Sequence, residues 1–409
     1  MNATESIQVI LPPGAEWTPG FDAARATDAY IATIPVDARA RSDAYFEGGN
    51  WIDFWGTLIT VAIAWLLLSS RFSARVRDFS ERHFRQVNLQ VLAYVLVYLI
   101  VVGLLTLPWD FYTGYFRERA YGMSNQPLGG FLRDWAVGIA VSVALGSLAL
   151  AGLYAILRRV GRRWVGWATA ASAAFLLLTI LIAPVFIAPL FNDYQPLPPG
   201  ETRDAILGLA HENGIPADDV YWFDASKQTE RISANVSGLL GTLRISLNDN
   251  LLEKTSLPEI RAVMAHEMAH YALHHSIWLP LGMTVAFALG FWAISRSFDG
   301  ILRRRGRRWG VRGLADPAGL PLVMAIFSVT LYLLTPAINN MIRLAENQAD
   351  DWGLDAAREP YGFASAAIRS SNYRKLEPSA LEEFMFFDHP SGRTRVTRAM
   401  RWLAEHPPE

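Results

Sequence analysis

The stretch Val87–Trp109, VNLQVLAYVLVYLIVVGLLTLPW, decides the fold class of this chain, because it has no charged side chain along its whole length. A helix of about 20 apolar residues is enough to cross the hydrocarbon core of a bilayer. The stretch therefore predicts a membrane-spanning helix.

Five further stretches have the length and composition of membrane spans. The six candidates lie near residues 54–70, 87–109, 135–157, 164–190, 276–294 and 318–338. Spans three and four are separated by little more than the segment RRVGRR (158–163), which predicts a helical hairpin. The sequence thus predicts a mainly α-helical fold, a polytopic transmembrane bundle of about six spans that carries a small α+β module.

The composition agrees with a membrane protein and limits the chemistry. Apolar residues make up 52% of the chain and charged residues 18%, below the roughly 25% typical of soluble domains. A net charge of -1 gives no overall attraction to nucleic acid, so no such partner is expected. Because the chain has no cysteine, any zinc must be held by histidine and carboxylate. The first 50 residues lack a basic start and a long apolar run, so we expect no cleavable signal peptide.

The polar insertion at residues 192–275 mixes charges, proline and glycine, and is predicted to be a soluble module. It reads as a loop, a helix over 201–214 and strands at 219–223, 231–236 and 243–247, with Gly238 and Gly241 marking a turn. The predicted organisation around it has four parts: an N-terminal tail (1–50), spans one to four (51–191), spans five and six (276–342) and a C-terminal site helix and tail (343–409).

The module ends in a helix that carries Ala265–His270, AHEMAH. Ser256 and Glu259 have the spacing of a capping box and predict where this helix begins. Residues His266 and His270 lie four apart, so both imidazoles project from one helix face and can reach a single ion. Glu267 is close enough to take a proton from a water on that ion, which is the HExxH mechanism. The pattern predicts one Zn²⁺ per chain.

The third ligand must come from elsewhere in the chain. A metzincin needs glycine and a third histidine where this chain has Leu273 and Ser276. The segment RLAENQAD (343–350) offers Glu346 on a helix, with Asp350 one turn later. Because two spans separate the segment 343–350 from the HExxH helix, this segment and the HExxH helix emerge on the same side of the membrane. His274 could be a fourth ligand, but that would close the position that water needs, so His274 and the next histidine are interpreted as structural neighbours.

These motifs together resemble the type I CAAX prenyl endopeptidase family and its bacterial relatives. HExxH is followed by the ExxAD-type helix and by HPSGRTR (389–395). The segments IAPLFNDYQPLPPG, GTLRISLNDNLL and FFDHPSGRTR are also similar to that family in kind and order. The resemblance covers roughly residues 51–400 and leaves the first 50 unplaced.

The resemblance implies roles for named residues. His266, His270 and Glu346 would be the zinc ligands, Glu267 the general base, and Asp350 a residue that orients a ligand histidine.

Two residues near the end of the chain also match the family, in its HPxxxxR pattern. We expect His389 to stabilise the oxyanion and Arg395 to hold substrate or the C-terminal tail in place.

The strand before Gly238 departs from the family, which commonly has Asn-Ala followed by an aromatic residue; here the sequence is Ser233-Ala234-Asn235. Ser233 and Asn235 are still candidates for substrate binding, because pairing at a sheet edge runs largely through backbone hydrogen bonds.

The sequence therefore favours a membrane-integrated zinc metalloendopeptidase that acts on membrane-associated or lipidated proteins and peptides. The alternative is a non-catalytic membrane protein, a transporter or scaffold with a structural zinc site. Against it, the six spans carry no charge at mid-membrane, and Glu267 would have no purpose. The expected partners are a peptide or protein substrate and the lipid bilayer, and the oligomeric state is left open.

The arginines predict the membrane orientation. Segments 71–85, 158–163 and 296–312 contain five, four and seven arginines, whereas the opposite side has three before span one and three between spans two and three. Basic loops stay cytoplasmic, which places the catalytic face outside, on a bacterial inner membrane. Eukaryotic members of the family are understood to cut on the cytosolic face, so the resemblance implies the opposite side.

Overall fold

The computed structural model describes residues 7–238 and 243–408, which are mainly helical. Gly241, predicted to share a turn with Gly238, lies outside these residues. The first helices are α1 (Ala23–Ala32), α2 (Val36–Ser69), α3 (Phe72–His83), α4 (Val87–Asp110), α5 (Arg117–Ala120), α6 (Leu128–Val160) and α7 (Trp164–Ile182). The later helices are α8 (Glu201–Glu212), α9 (Asp249–Lys254), α10 (Leu257–Ala272), α11 (His275–Trp309), α12 (Leu320–Ala357), α13 (Pro360–Arg369), α14 (Ala380–Phe386) and α15 (Gly392–Glu405).

Five helical stretches are long and apolar enough to cross a membrane: Val36–Ser69, Val87–Ala120, Leu128–Leu190, His275–Trp309 and Pro317–Ala357. The third has 63 residues and would be about 95 Å long if straight, roughly three times the hydrocarbon thickness. It instead reverses at Gly161, where φ is +53°, so that Arg133 near its start reaches the carbonyl oxygen of Leu190 at its end. It is therefore the predicted hairpin of two crossings, and the prediction of a polytopic bundle of about six spans is confirmed.

The three arginine-rich segments meet at one end of the bundle. Arg77 Nη1 lies 2.6 Å from Asp316 Oδ2, which joins α3 to the segment before α12. Arg158 at the end of α6 donates to Asn88 at the start of α4 over 2.7 Å. The soluble module lies at the other end, where Arg244 donates to the carbonyl oxygen of Pro184. The alternation of spans on which the orientation prediction depends is thus present.

The module contains a small sheet of β1 (Tyr194–Pro196), β2 (Val220–Phe223), β3 (Ala234–Ser237) and β4 (Arg244–Asn248). The strand order is β1-β2-β4-β3, with β2 and β4 parallel and the other pairs antiparallel. The three predicted strands are present, and β1 is additional, because the ring of Tyr194 stacks on that of Phe223 at 5.0 Å. Strand β3 forms one edge of the sheet and packs against α10.

Helices α10 and α12, which carry the candidate ligands, approach each other closely. Ala345, Ala349 and Gly353 form a buried stripe on α12, spaced four residues apart. A Cβ atom at Gly353 would lie 3.0 Å from the backbone nitrogen of His266. Glycine is required there because any side chain would push the two helices apart at the site.

Residues 7–50, within the segment predicted to be an N-terminal tail, pack against the rest of the protein. Helix α2 already begins at Val36, and residues 7–35 form an arm that lies on α13 and α15. Tyr30 and Ile31 are buried there with Phe363 and Val396. The buried residues of α1 repeat at four-residue spacing, so one face of this short helix covers α13 and α15: Ala26, Thr27, Tyr30 and Ile31.

Candidate active site

Three side chains from two helices converge beside the edge strand. His266 and His270 come from α10, and Glu346 comes from α12. The two Nε2 atoms are 3.4 Å apart. Glu346 Oε2 lies 3.2 Å from Nε2 of His266, and Oε1 lies 3.5 Å from Nε2 of His270. Within residues 7–238 and 243–408, this is the group of three side chains able to share one metal ion.

The spacing of these atoms fits zinc. Zn–N and Zn–O bonds of about 2.0–2.1 Å in a tetrahedron give ligand-to-ligand distances of about 3.4 Å, close to the three distances measured here. Oε2 of Glu346 is buried and makes no well-directed hydrogen bond to any described residue. A buried carboxylate oxygen without a donor is costly, and a cation at the centre of the triangle would satisfy it.

The other side of each histidine is also occupied. His266 Nδ1 lies 2.9 Å from Oδ1 of Asp350, a carboxylate with no exposed surface. Arg395 contacts both oxygens of that carboxylate, at 2.5 and 3.1 Å, and Arg398 contacts Oδ2 at 2.8 Å. Asp350 is therefore a buried carboxylate with three partners, which is the condition under which a buried charge is tolerated. The sequence identified Asp350 and Arg395 but not Arg398.

The sequence interpretation placed His274 and His275 near the site as structural residues, but it did not identify His275 as the partner of His270. Nδ1 of His270 lies 2.9 Å from Nδ1 of His275, whose Nε2 lies 3.2 Å from Oε1 of Gln348. His274 is exposed and has a left-handed backbone with φ of +56° where α10 ends and α11 begins. The available signal was the His274-His275 pair, but the sequence alone does not indicate which of the two turns inward.

The charges of the site act differently on its two histidines. Burial disfavours a charged ring at His266, but the facing carboxylates of Asp350 and Glu346 raise its pKa to about 9. Burial and the neighbouring His266 lower the pKa of His270 to about 4. The two carboxylates thus favour a positive charge on His266 in the metal-free site.

Glu267 lies on the wall of the cleft next to these ligands, together with His266 and His389. The cleft has a volume of about 510 Å³. Burial is the largest cause that raises the pKa of the Glu267 carboxyl to about 7, and the neighbouring His266 opposes it. A carboxyl group in this range can both accept and return a proton near neutral pH.

His389 reaches the same place from the segment before α15. Its Nε2 lies 3.3 Å from Oε2 of Glu346, and its Nδ1 lies 2.9 Å from Oδ1 of Asp388. Each ring nitrogen of His389 thus faces a carboxylate oxygen. The sequence identified His389, whereas the contribution of Asp388 was missed.

The residues predicted to bind substrate lie at and near the start of β3. Ser233 and Ala234 line the cleft. The backbone of Ser233 is tied to Asn248 by two hydrogen bonds, of 2.9 Å and 3.0 Å. Asn235 lies further along β3 and pairs with Ser246 of β4. The start of β3 thus lies at the cleft, and β3 is an edge strand with no partner strand on its outer side within the described residues.

A bundle of membrane-crossing helices that supports an HExxH helix and a glutamate in one cleft defines a multi-pass membrane metalloprotease. The family profile described as Peptidase family M48 matches residues 196–403. A second profile, described as CAAX prenyl protease N-terminal, five membrane helices, matches residues 25–193. The chain belongs to peptidase family M48, which makes it a hydrolase and confirms the predicted family and enzyme class.

Individual relatives agree with this assignment. The chain is 30% identical over 372 residues to the uncharacterized metalloprotease YhfN of Bacillus subtilis, covering 90% of this chain and 87% of the relative. It is 28% identical over 309 residues to a CAAX prenyl protease 1 homolog of Oryza sativa subsp. japonica, covering 74% and 71%. The crystal structure of S. mikatae Ste24p superposes with a TM-score of 0.71 at 20% identity, covering 90% of this chain and 89% of that chain. At that identity the likeness shows the fold alone.

Proposed function

We propose that this metalloprotease is a zinc endopeptidase that cleaves peptide bonds of membrane-associated or lipidated proteins. The observation that carries the proposal is the triangle of candidate ligands, with separations of 3.2, 3.4 and 3.5 Å. His266, His270 and Glu346 would hold one zinc ion per chain. Three protein ligands leave one coordination position for water or substrate, which is the composition of catalytic rather than structural zinc sites.

Glu267 would carry out the proton transfers of the reaction. A bound zinc ion polarises a carbonyl group and lowers the pKa of a water molecule toward neutrality. Glu267 would accept the proton of the attacking water and deliver it to the leaving amine, which completes hydrolysis of the peptide bond. Its position on the cleft wall beside His266 supports this role.

His389 would donate a hydrogen bond to the oxyanion that forms on the carbonyl carbon. Asp388 would hold the ring by accepting from Nδ1, which leaves Nε2 directed toward the candidate ligands. A donor that is already oriented stabilises the developing charge without reorganisation.

Replacing His389 by alanine should therefore lower turnover by about 10²- to 10³-fold, the usual loss for one oxyanion donor. Zinc content should stay at one equivalent, because His389 is not among the proposed ligands. The measurement is turnover of a peptide substrate alongside metal analysis of the same sample. A variant with reduced protein yield but normal turnover would show that His389 is only structural.

Asp350 and Arg395 would support the metal site without binding the ion themselves. Asp350 would accept from Nδ1 of His266 and leave Nε2 available for the ion. Arg395 would hold that carboxylate and so fix α15 to α12. The contacts of Arg395 with Asp350 thus support the tail-holding half of its predicted role.

The substrate would bind as an added strand along the outer side of β3. Such pairing uses backbone hydrogen bonds, which explains how an endopeptidase can accept varied sequences. Ser233 and Asn235 would then select through their side chains. Because α12 runs from a candidate membrane span to Glu346, the site would lie near the membrane surface, which favours membrane-associated peptides.

A non-catalytic membrane protein with a structural metal remains the alternative class. It is disfavoured because Glu267 lies on an open cleft wall, where a structural site has no use for a carboxylate. The two classes differ in one measurement, which is whether the purified protein in detergent cleaves peptides and whether that cleavage requires Glu267.

The catalytic face would lie outside the cytoplasm of a bacterial cell, because the three arginine-rich segments share the opposite end of the bundle. Alkaline phosphatase fused after Glu409 should therefore be active in a bacterial host, and a fluorescent protein there should be dark. The same reporters fused after Arg163, in the arginine-rich hairpin, are the matched control and should give the reverse pattern. Bright fluorescence after Glu409 would instead assign the catalytic face to the cytoplasm.

A further inference from the structure

His275 lies directly behind His270, on the side away from Glu346. It has 1% of its surface exposed. Its two ring nitrogens are both in contact with polar atoms, Nδ1 with Nδ1 of His270 at 2.9 Å and Nε2 with Oε1 of Gln348 at 3.2 Å. The three side chains form one hydrogen-bonded row that ends at the face where His270 would meet a metal.

The backbone is bent to make this row possible. In a continuous helix, residues five apart are about 140° apart around the axis and cannot face each other. Here α10 ends at Ala272, and His274 takes a left-handed conformation with φ of +56° before α11 begins. That break turns the chain so that His275 returns beside His270.

The protons of the row can be assigned by elimination. His270 Nε2 faces the other candidate ligands, so it must carry a lone pair for a metal, and the ring proton must be on Nδ1. That proton is donated to Nδ1 of His275, which must therefore be the acceptor. The proton of His275 is then on Nε2 and is donated to the amide oxygen of Gln348. Each contact has one donor and one acceptor, with no ring charged.

We propose that His275 is a positioning residue that fixes the ring orientation and the tautomer of His270 for metal binding, with Gln348 fixing the tautomer of His275 in turn. The inference rests on the proposed function, since it takes His270 to be a ligand. This arrangement behind His270 differs from the one behind His266, where the partner is the carboxylate of Asp350, held by two arginines.

A neutral partner suits His270 for an electrostatic reason. Glu346 and Asp350 already place two carboxylates around the site, and Asp350 is matched by Arg395 and Arg398. A third carboxylate behind His270 would add negative charge inside the protein and would itself need a buried cation. An imidazole supplies the same acceptor without that cost.

The test is the zinc affinity of the full-length protein in detergent, measured by competition with a chelator. His275→Ala should weaken zinc binding by about 10- to 100-fold, the usual effect of removing the partner behind a metal ligand. His274→Asn is the matched control, because that residue is exposed and asparagine tolerates the left-handed backbone. It should leave the affinity unchanged. Equal affinities for the two variants would overturn the proposal.

Two replacements at the same position separate hydrogen bonding from packing. In His275→Asn the amide oxygen can occupy the place of Nδ1 and accept from His270, so zinc affinity should recover toward that of the wild type. His275→Leu fills the space without an acceptor and should remain weak. Recovery with leucine but not with asparagine would mean that His275 only fills volume, and the inference would be wrong.

Gln348→Met tests the outer end of the row. Without the amide oxygen, His275 can move its proton to Nδ1, where it would oppose the proton of His270. The zinc affinity should fall, but by less than in His275→Ala. Without Gln348, His275 can adopt either tautomer, and only the one with its proton on Nδ1 opposes His270. If the wild-type protein binds no zinc, the proposed function itself is wrong. If the wild type binds zinc tightly and the His275 variants bind it equally well, only the inference about His275 is wrong.

Discussion

Glu267→Gln should retain one equivalent of zinc and lose turnover by several orders of magnitude, about 10²- to 10⁴-fold if general-base catalysis alone is removed. Glutamine has nearly the same size as glutamate but cannot accept the proton of the attacking water. Because the half-buried side chain touches the cleft rather than the ligand triangle, the fold and the metal should be unaffected. The measurements are turnover of a peptide substrate and zinc content of the same preparation.

Glu253→Gln provides the control for this experiment. It makes the same chemical change at an exposed position on α9, outside the cleft lining, and should behave as the wild type. If the Glu267 variant still turned over at nearly the wild-type rate, the proposed mechanism could not hold, because no other carboxylate of the cleft wall is assigned to move that proton.

Glu346→Gln should bind zinc more weakly by more than about 100-fold, which exceeds the usual loss for a partner behind a ligand. The carboxylate is the single charged member of the ligand triangle, and an amide oxygen is a much poorer match for a cation. The metal-free fold should also lose stability, because the change removes the carboxylate that the rings of His266 and His389 face. Metal analysis after dialysis and the melting temperature of the chelated protein test both parts.

Asp351→Asn on the same helix is the comparison for this variant, because Asp351 is exposed and lies one residue beyond Asp350. It should keep its zinc. A Glu346 variant with a full equivalent of zinc at unchanged affinity would show that the third ligand is another residue, and His389 would then be the next candidate at 3.3 Å from Glu346 Oε2.

The sequence predicted those features that depend on local composition. Membrane spans are long apolar runs, and the HExxH helix has its capping box and its paired histidines within one short segment. The predicted capping box is present, with Ser256 donating its backbone N–H to Glu259 over 2.7 Å. Glu346 needed a resemblance in addition, because a glutamate beside a membrane span has no local sign that distinguishes a ligand from a solvated side chain.

What could not be predicted depends on the backbone conformation at particular residues and on the packing of neighbouring side chains. The sequence shows two adjacent histidines, but only the left-handed backbone of His274 decides that His275 turns toward His270. The partnership of Asp388 with His389 likewise follows from the local bend before α15. The strand β1 is three residues long and rich in proline, so its pairing with β2 comes from the neighbouring aromatic ring rather than from its own propensity.

The arm at residues 7–35 has a consequence for the order in which the molecule is made. It packs on α13 and α15, and Arg393 of α15 forms an ion pair with Asp28 of α1 at 2.8 Å. The groove that receives the arm therefore does not exist until α15 has been synthesised, long after the arm itself and all the membrane spans. His389 and Arg395 also arrive with this late segment. A nascent chain consequently passes through membrane insertion before the segment that completes the cleft has been made.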